Sequence, residues 1–231
     1  MHALDNPIWT ALTTKQAQLA HSSALARRFP PEMSLLGALA ANTAMAYESL
    51  AQLIQRDAVT LYFSAPPTLP PGWNVVRAVE LHQMLKDDGA PVDEVIRSAA
   101  AQHQVTELTP VDVPEMSALY TATRPNRTLC PKIQKVGAFL GIRDEGKLVA
   151  MGGLRLHITG YREITTVATH PEYEGRGYAT AIVLALMARI HAAGNKPFLT
   201  VRTDNERAIA IYRRLGFKER AKFYSQTIRR A

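Results

Sequence analysis

The spacing of apolar and polar residues changes several times along the first hundred residues. Two alanine-rich stretches, residues 14–26 and 32–55, repeat small and apolar side chains at helical spacing and predict two helices, the second interrupted near Gly37. Residues 58–64 form a short apolar run that predicts a strand. The four prolines and one glycine of residues 65–73 then exclude regular structure.

The next segment reads as a strand followed by a linker. Residues 74–85, NVVRAVELHQML, predict a strand, and a helix stays open for their second half. Residues 86–91, KDDGAP, and the polar stretch RSAAAQHQ that follows have the composition of a linker. We therefore predict an N-terminal α/β region over residues 1–100 and a second domain over residues 105–231.

From residue 105 onward, short β-branched runs alternate with helical ones. Asp112, with Pro114 two residues later, predicts the start of a helix that runs to about Thr123. Residues 144–146 predict a hairpin turn, and Gly194 is placed to end a long helix. The predicted order of elements is β-α-β-β-β-α-β-α-β-β.

Size and composition indicate a globular protein with its own core. The chain has 231 residues, of which 47% are apolar, and no apolar run approaches the ~20 residues that span a bilayer. Its first ten residues carry no apolar signal segment, so we expect neither secretion nor a membrane partner. The single cysteine, Cys130, excludes an internal disulfide and predicts a cytoplasmic location.

The charge balance favours an anionic partner. Lysine and arginine together number 27 against 20 acidic residues, a formal net charge of +7. A phosphate-bearing cofactor, a nucleic acid or a membrane would each fit this charge. Nucleic acid is the weaker choice, because the positive residues are dispersed and no zinc-finger spacing or polybasic tract occurs.

A glycine-rich stretch separates a β-branched run from a long helical run. It reads EYEGRGYAT over residues 172–180. The start of a helix carries unpaired N–H groups and positive partial charge, and glycine lets a phosphate approach that backbone closely. The spacing matches neither the dinucleotide fingerprint nor the P-loop. A tight turn that merely packs the helix on a sheet fits the same residues.

Two motifs in this part of the chain resemble those of the GNAT N-acetyltransferase superfamily. The first is Glu174-Gly175-Arg176-Gly177-Tyr178-Ala179, and the second comprises Asn205, Ala208, Tyr212, Gly216 and Phe217. The resemblance covers about residues 105–229. It departs from the family pattern at Glu174, where an arginine or glutamine is usual, and a carboxylate there would repel a pyrophosphate.

The resemblance implies a fold, a co-substrate and a donor site. The fold would be α/β (α+β), with a central mixed, mostly antiparallel sheet flanked by helices and an additional N-terminal α/β region. The co-substrate would be acetyl-CoA, with no metal. The residues implied to bind it are Val167 and Thr169 through their backbone, the helix start at Gly175, Arg176, Gly177, Tyr178, Ala179 and Thr180, and Asn205. Asn205 could equally be a simple helix cap.

The resemblance also implies two catalytic residues. Tyr212 stands at the position of the family's general acid, although a core aromatic residue fits the same helical pattern. Glu163 stands where related enzymes carry a strand glutamate that serves as general base. An exposed turn carboxylate paired with Arg162 is an equal alternative for Glu163.

A basic loop lies where this family usually gates the acceptor site. Arg124, Arg127, Lys132 and Lys135 fall within it and suggest an acceptor with a carboxylate or phosphate group, or else a solvated loop face.

The sequence as a whole predicts an enzyme that moves an acetyl group from acetyl-CoA to a primary amine of a small molecule or peptide. The transfer would proceed by direct attack in a ternary complex. The alternative is a non-catalytic acyl-CoA sensor or protein-interaction module on a degenerate fold. In either case residues 1–100 have no assigned role, and a degenerate half of a second transferase-like unit is one interpretation of them. The acceptor, the preferred acyl length and a homodimeric state stay open.

Overall fold

The computed structural model describes residues 2–55, 57–125 and 127–231. Its helices are α1 (Pro7–Thr13), α2 (Ala44–Ala51), α3 (Glu94–Ala101), α4 (Val113–Thr123), α5 (Tyr178–Ala192) and α6 (Glu206–Arg214). Its strands are β1 (His21–Ser22), β2 (Ala26–Arg28), β3 (Gly37–Leu39), β4 (Val59–Phe63), β5 (Trp73–Lys86), β6 (Thr106–Leu108), β7 (Phe139–Asp144), β8 (Lys147–Ile158), β9 (Tyr161–Thr169), β10 (Lys196–Arg202) and β11 (Phe217–Arg230).

One large sheet runs through the molecule in the order β4-β11-β5-β10-β9-β8-β7-β6. Only the pairing of β9 with β10 is parallel among the described strands, and all other neighbours are antiparallel. The helix α5 packs on this sheet through Ile182, Val183 and Leu186, which are fully buried. The predicted mixed, mostly antiparallel sheet with flanking helices is confirmed.

The N-terminal hundred residues supply two strands of this sheet. β5 pairs with β10 on one side and with β11 on the other, and β4 extends the sheet at its edge. The helix left open for the second half of residues 74–85 does not form, because hydrogen bonds from two neighbouring strands hold that segment extended. The predicted linker at 86–91 follows a strand that lies between two strands of the C-terminal segment.

Both long N-terminal helices predicted from alanine content are wrong. Residues 14–26 follow α1 and lead into β2, and residues 32–55 contain β3 as well as the short helix α2. The start of α2 is fixed at Thr43, whose hydroxyl accepts a hydrogen bond from the Ala46 amide at 3.3 Å. Strand pairing and burial override helix propensity at Gly37–Leu39, which is buried throughout.

The elements predicted after residue 105 are largely confirmed. The helix α4 ends at Thr123, the hairpin joins β7 and β8, and Gly194 follows the end of α5 with a φ of +70°. The two closing strands are instead one strand, β11, which carries a bulge between Glu219 and Ala221. Within the described residues, we find no helix with the length and apolarity needed to cross a membrane.

Candidate active site

The glycine turn leaves the start of α5 bare. Gly175 and Gly177 have φ values of +81° and +82°, a region that side chains disfavour. Gly177 caps the helix without a side-chain hydrogen bond, and no acid lies in its first turn. The first intrahelical bond runs from the Ala181 amide to the Gly177 carbonyl at 3.0 Å. The N–H groups of residues 178–180 precede it and can therefore bind an anion.

The sheet opens beside this turn. The parallel pairing of β9 with β10 ends at Ile164 and Leu199, although both strands continue for several residues. In β9 the next residues include Thr166, whose φ of +56° is left-handed for a β-branched residue. The register of β9 against β8 shifts at the same place. The two strands therefore diverge and leave a gap between their backbones.

A cleft of about 680 Å³ extends from this gap to the glycine turn. The structure brings every residue predicted to bind the co-substrate to its wall: Val167, Thr169, Gly175, Arg176, Gly177, Tyr178, Ala179, Thr180 and Asn205. These residues come from the end of β9, the turn, the first turn of α5 and the start of α6. We call this space the donor cleft.

The predicted linker contributes one wall of the donor cleft. The helix α3 starts at Asp93, whose carboxylate accepts a hydrogen bond from the Val95 amide at 2.8 Å. His103 follows that helix, and its ring meets the ring of Tyr178 edge-on with centroids 4.8 Å apart. Sequence reasoning missed this wall, although the aspartate before EVIRSAAA is a typical helix cap.

The unusual acid of the glycine turn is paired. The carboxylate of Glu174 forms an ion pair with Arg207 on α6, which offsets its repulsion of an incoming phosphate. Arg176 turns towards the β7–β8 hairpin, where its guanidinium lies 3.5 Å from Asp144 and 4.8 Å from the ring centre of Tyr173.

A second cavity of about 300 Å³ shares a wall with the donor cleft, and we call it the acceptor pocket. The shared residues are Val167, Asn205, Ala208 and Tyr212. The acceptor pocket is also lined by residues 34–36, by β4 and β5, and by the loop after α4. The N-terminal segment thus helps to enclose it.

Tyr212 lies between the two cavities. Its side chain is about nine-tenths buried and meets Phe217 with ring centroids 6.0 Å apart. Burial raises the pKa of Tyr212 to about 12, while the positive charge of Arg124 acts in the opposite direction. The phenol therefore keeps its proton at neutral pH.

Asn205 and Arg124 each make a hydrogen bond to the backbone that has a structural role. The Asn205 side chain caps α6, accepting a hydrogen bond from the Ala208 amide at 3.1 Å, and Asn205 also lines both cavities. Arg124 donates to the Val167 carbonyl at 2.9 Å and packs over the ring of Tyr120. Arg124 therefore fixes the backbone of β9 where the two cavities meet.

Glu163 does not reach either cavity. It is fully buried, and its two carboxylate oxygens accept hydrogen bonds from Arg155 at 2.9 and 2.8 Å and a third from Thr200 at 3.2 Å. Burial alone would lower the pKa of Arg155, but the adjacent carboxylate outweighs burial and raises it. The sequence predicted that Glu163 faces the cleft, or else that it is exposed and paired with Arg162. Both expectations are wrong, because the side chain points from β9 towards Arg155 on β8.

The basic loop divides between the pocket and the surface. Arg124 and Arg127 line the acceptor pocket, whereas Lys132 lies 3.6 Å from Glu32 in an exposed ion pair. Lys135 does not line either cavity. In the ranges that the structure describes, no group of three metal-binding side chains comes together.

Comparison with known proteins finds relatives along the whole chain. Residues 139–226 match the FR47-like protein family. A solved structure from Novosphingobium aromaticivorans, assigned to the GNAT family of acetyltransferases, is 32% identical, with 100% of both chains covered and a TM-score of 0.86.

Two curated proteins match shorter regions. The N-alpha-acetyltransferase RimI of Mycobacterium tuberculosis is 37% identical over 83 residues, which make up 35% of this chain and 51% of that protein. Mycothiol acetyltransferase of Streptomyces avermitilis is 30% identical over 155 residues, 66% of this chain and 45% of that protein. The matches span about half the length of these relatives.

Proposed function

Because the chain belongs to the GNAT family, we propose that it is an N-acetyltransferase that moves an acetyl group from acetyl-CoA to a primary amine of a small molecule or peptide. The amine attacks directly while both substrates are bound. The observation that carries this proposal is the shared wall of the two cavities, with Tyr212 in it.

The donor cleft fits acetyl-CoA, which supplies the acetyl group as a thioester. The N–H groups of residues 178–180 bind the pyrophosphate, since the turn ahead of them carries no side chain to obstruct it. Val167 and Thr169, at the edge of the opened sheet, hold the pantetheine arm through backbone hydrogen bonds.

Tyr212 acts as the general acid. Its hydroxyl keeps a proton at neutral pH and donates it to the departing thiolate. Arg124 helps this transfer, because its positive charge stabilises the phenolate that results.

Water relays the proton of the acceptor amine to bulk solvent. No Asp, Glu or His occurs among the described residues that line the acceptor pocket. Glu163 has both oxygens engaged by Arg155, and we assign it to positioning that arginine. The arginines around the pocket disfavour an ammonium ion there, which favours the neutral amine that can attack.

The test starts with calorimetric titration of acetyl-CoA and CoA, with NADH as a control. We expect micromolar binding of acetyl-CoA and CoA and none of NADH, followed by release of the CoA thiol when amines are added to the acetyl-CoA complex. Absence of acetyl-CoA binding would overturn the proposal.

The alternative of a non-catalytic sensor drew some support from Glu174, whose negative charge would weaken phosphate binding in the donor cleft. Its ion pair with Arg207 offsets that effect, and we therefore favour the enzyme. We also propose a cytoplasmic location, which is consistent with the single, unpaired Cys130.

A further inference from the structure

We propose that the acceptor carries an anionic group, a carboxylate or a phosphate, and that the guanidinium groups of Arg77 and Arg127 bind it in the acceptor pocket. This proposal rests on the proposed function, because it names the class of amine that the second cavity takes. It concerns residues on β5 and in the loop after α4.

The wall of the acceptor pocket is strongly positive. The arginines that line it are Arg77, Arg124, Arg127, Arg155 and Arg202. The described lining residues include no carboxylate, although Glu163 and Asp204 pair with Arg155 and Arg202 from outside the lining. A cavity lined by one sign of charge concentrates ions of the opposite sign.

Three of the five arginines already have partners within the protein. Arg155 is held by Glu163, and Arg124 binds the Val167 carbonyl. Arg202 forms a two-point ion pair with Asp204, an exposed residue just beyond β10.

Arg77 and Arg127 have no acidic partner in the described part of the chain. Arg77 is partly buried on β5, and Arg127 is exposed at the rim. Burial lowers the pKa of Arg77, and the positive charges of Arg127 and Arg202 lower it further. Arg127 and Arg202 therefore lie close enough to Arg77 to disfavour its positive charge, while Asp204 and Tyr120 act in the opposite direction.

An anion would relieve this repulsion. The planar guanidinium group binds carboxylates and phosphates through two parallel hydrogen bonds, and several guanidinium groups can share one anion. Neutral donors line the same pocket, including Thr60 and Thr227, whose hydroxyls lie 2.9 Å apart. Charge and hydrogen-bonding capacity in this pocket thus both suit an anionic group.

The first test measures anion binding by calorimetry in the presence of saturating CoA, so that the phosphate-binding end of the donor cleft is occupied. The probes are malonate for carboxylates and inorganic phosphate for phosphates, at constant ionic strength. We expect wild-type protein to bind at least one of them, and the stronger of the two identifies the class of anion.

Variants assign the binding to the pocket. Arg77→Gln and Arg127→Gln should each weaken it about tenfold, as expected when a charge-assisted hydrogen-bonding group is lost. Arg229→Gln is the matched control, because Arg229 is exposed on β11, lines neither cavity and carries the same charge. Thermal unfolding verifies that each variant is folded, and the exposed Arg127 provides a variant with little effect on packing.

Equal weakening by Arg229→Gln would overturn the proposal, and so would failure of wild-type protein to bind either anion. The anion titrations measure binding in the acceptor pocket and need no turnover. The proposed function is instead overturned if acetyl-CoA does not bind. The two failures are therefore distinguishable.

Matched amines then test the acceptor itself by thiol release. Glycine is compared with glycinamide, and O-phosphoethanolamine with ethanolamine. We expect the anionic member of at least one pair to react faster in wild-type protein and to lose that advantage in Arg127→Gln. A preference for the neutral member in both pairs contradicts the proposal.

Discussion

Tyr212 combines three properties that a proton donor at this position needs. It lines both cavities, it is buried enough to hold its proton, and Arg124 lies near enough to stabilise its charged form. A phenol in water has a pKa near 10, so burial here works against ionisation and the arginine works for it.

Replacing Tyr212 by phenylalanine should lower kcat by about 10²- to 10⁴-fold, the usual contribution of a general acid. Acetyl-CoA affinity should change little, because the phenyl ring keeps its packing. Steady-state thiol release and calorimetry measure the two quantities.

The control is Tyr47→Phe. Tyr47 is also buried, and burial raises its pKa to about 12 as well, but it lies on α2 and packs in a separate cluster. If the two variants lose the same activity, the hydroxyl of Tyr212 has no specific role.

Replacing Glu163 by glutamine tests the positioning role. Removing one member of a buried ion pair typically costs about 3 to 5 kcal/mol of folding free energy. Urea unfolding should show a loss of that size, whereas Glu32→Gln, in an exposed pair with Lys132, should leave stability nearly unchanged. A Glu163→Gln protein of normal stability and strongly reduced kcat would instead identify a general base.

At the level of single residues, the sequence could predict what is local. Tyr212 and the glycine turn belong to short motifs, so their spacing was visible along the chain. The side-chain direction of Glu163 depends on the register of β9 against β8, which a single strand does not reveal. Arg77 and Arg202 line the same pocket because β5 pairs with β10.

At the level of elements, the turn before α5 requires glycine at position 175 because of its backbone conformation. A Cβ atom at Gly175 would meet no atom within 4 Å, so only its φ of +81° resists substitution. Alanine in this left-handed region costs about 1 to 2 kcal/mol.

The Gly175→Ala protein should therefore be less stable. Because the added methyl group would hinder close approach of the phosphate, its affinity for CoA should also fall about tenfold, which corresponds to about 1.4 kcal/mol. The matched control is Gly160→Ala in the β8–β9 hairpin, where φ is +80° and the space is equally open. Thermal unfolding should show similar losses for both variants, and calorimetry should show weaker CoA binding only for Gly175→Ala. Equal CoA affinity in both would exclude close phosphate contact at Gly175.

Element prediction succeeded where local signals were strong and failed where tertiary contacts decided. The helix α5 has an uninterrupted apolar run and a glycine at each end, and its prediction holds. The alanine-rich N-terminal segments have helix propensity, yet Gly37–Leu39 is drawn into a strand by its pairing with β2. Alanine content says little about such long-range pairing.

At the scale of the whole molecule, one sheet joins the two ends of the chain. The strands β4 and β5 are both neighbours of β11, and β5 is also a neighbour of β10. A fragment that begins after His103 would leave β11 without any partner strand and β10 with one.

We therefore predict that the fragment 104–231 does not fold. Circular dichroism should lack a cooperative thermal transition, and the fragment should not bind CoA, whereas the full chain should show both. A fragment that melts cooperatively and binds CoA would support the domain boundary that the sequence predicts near residue 105.

The position of β5 also matters while the protein is being synthesised. This strand is complete at Lys86, but its partners begin only at Lys196 and Phe217. At about 5 to 20 residues per second, a ribosome needs on the order of 5 to 25 s to make the intervening chain. During that time β5 has neither of its sheet neighbours, and its unpaired edges can form hydrogen bonds with strands of other chains.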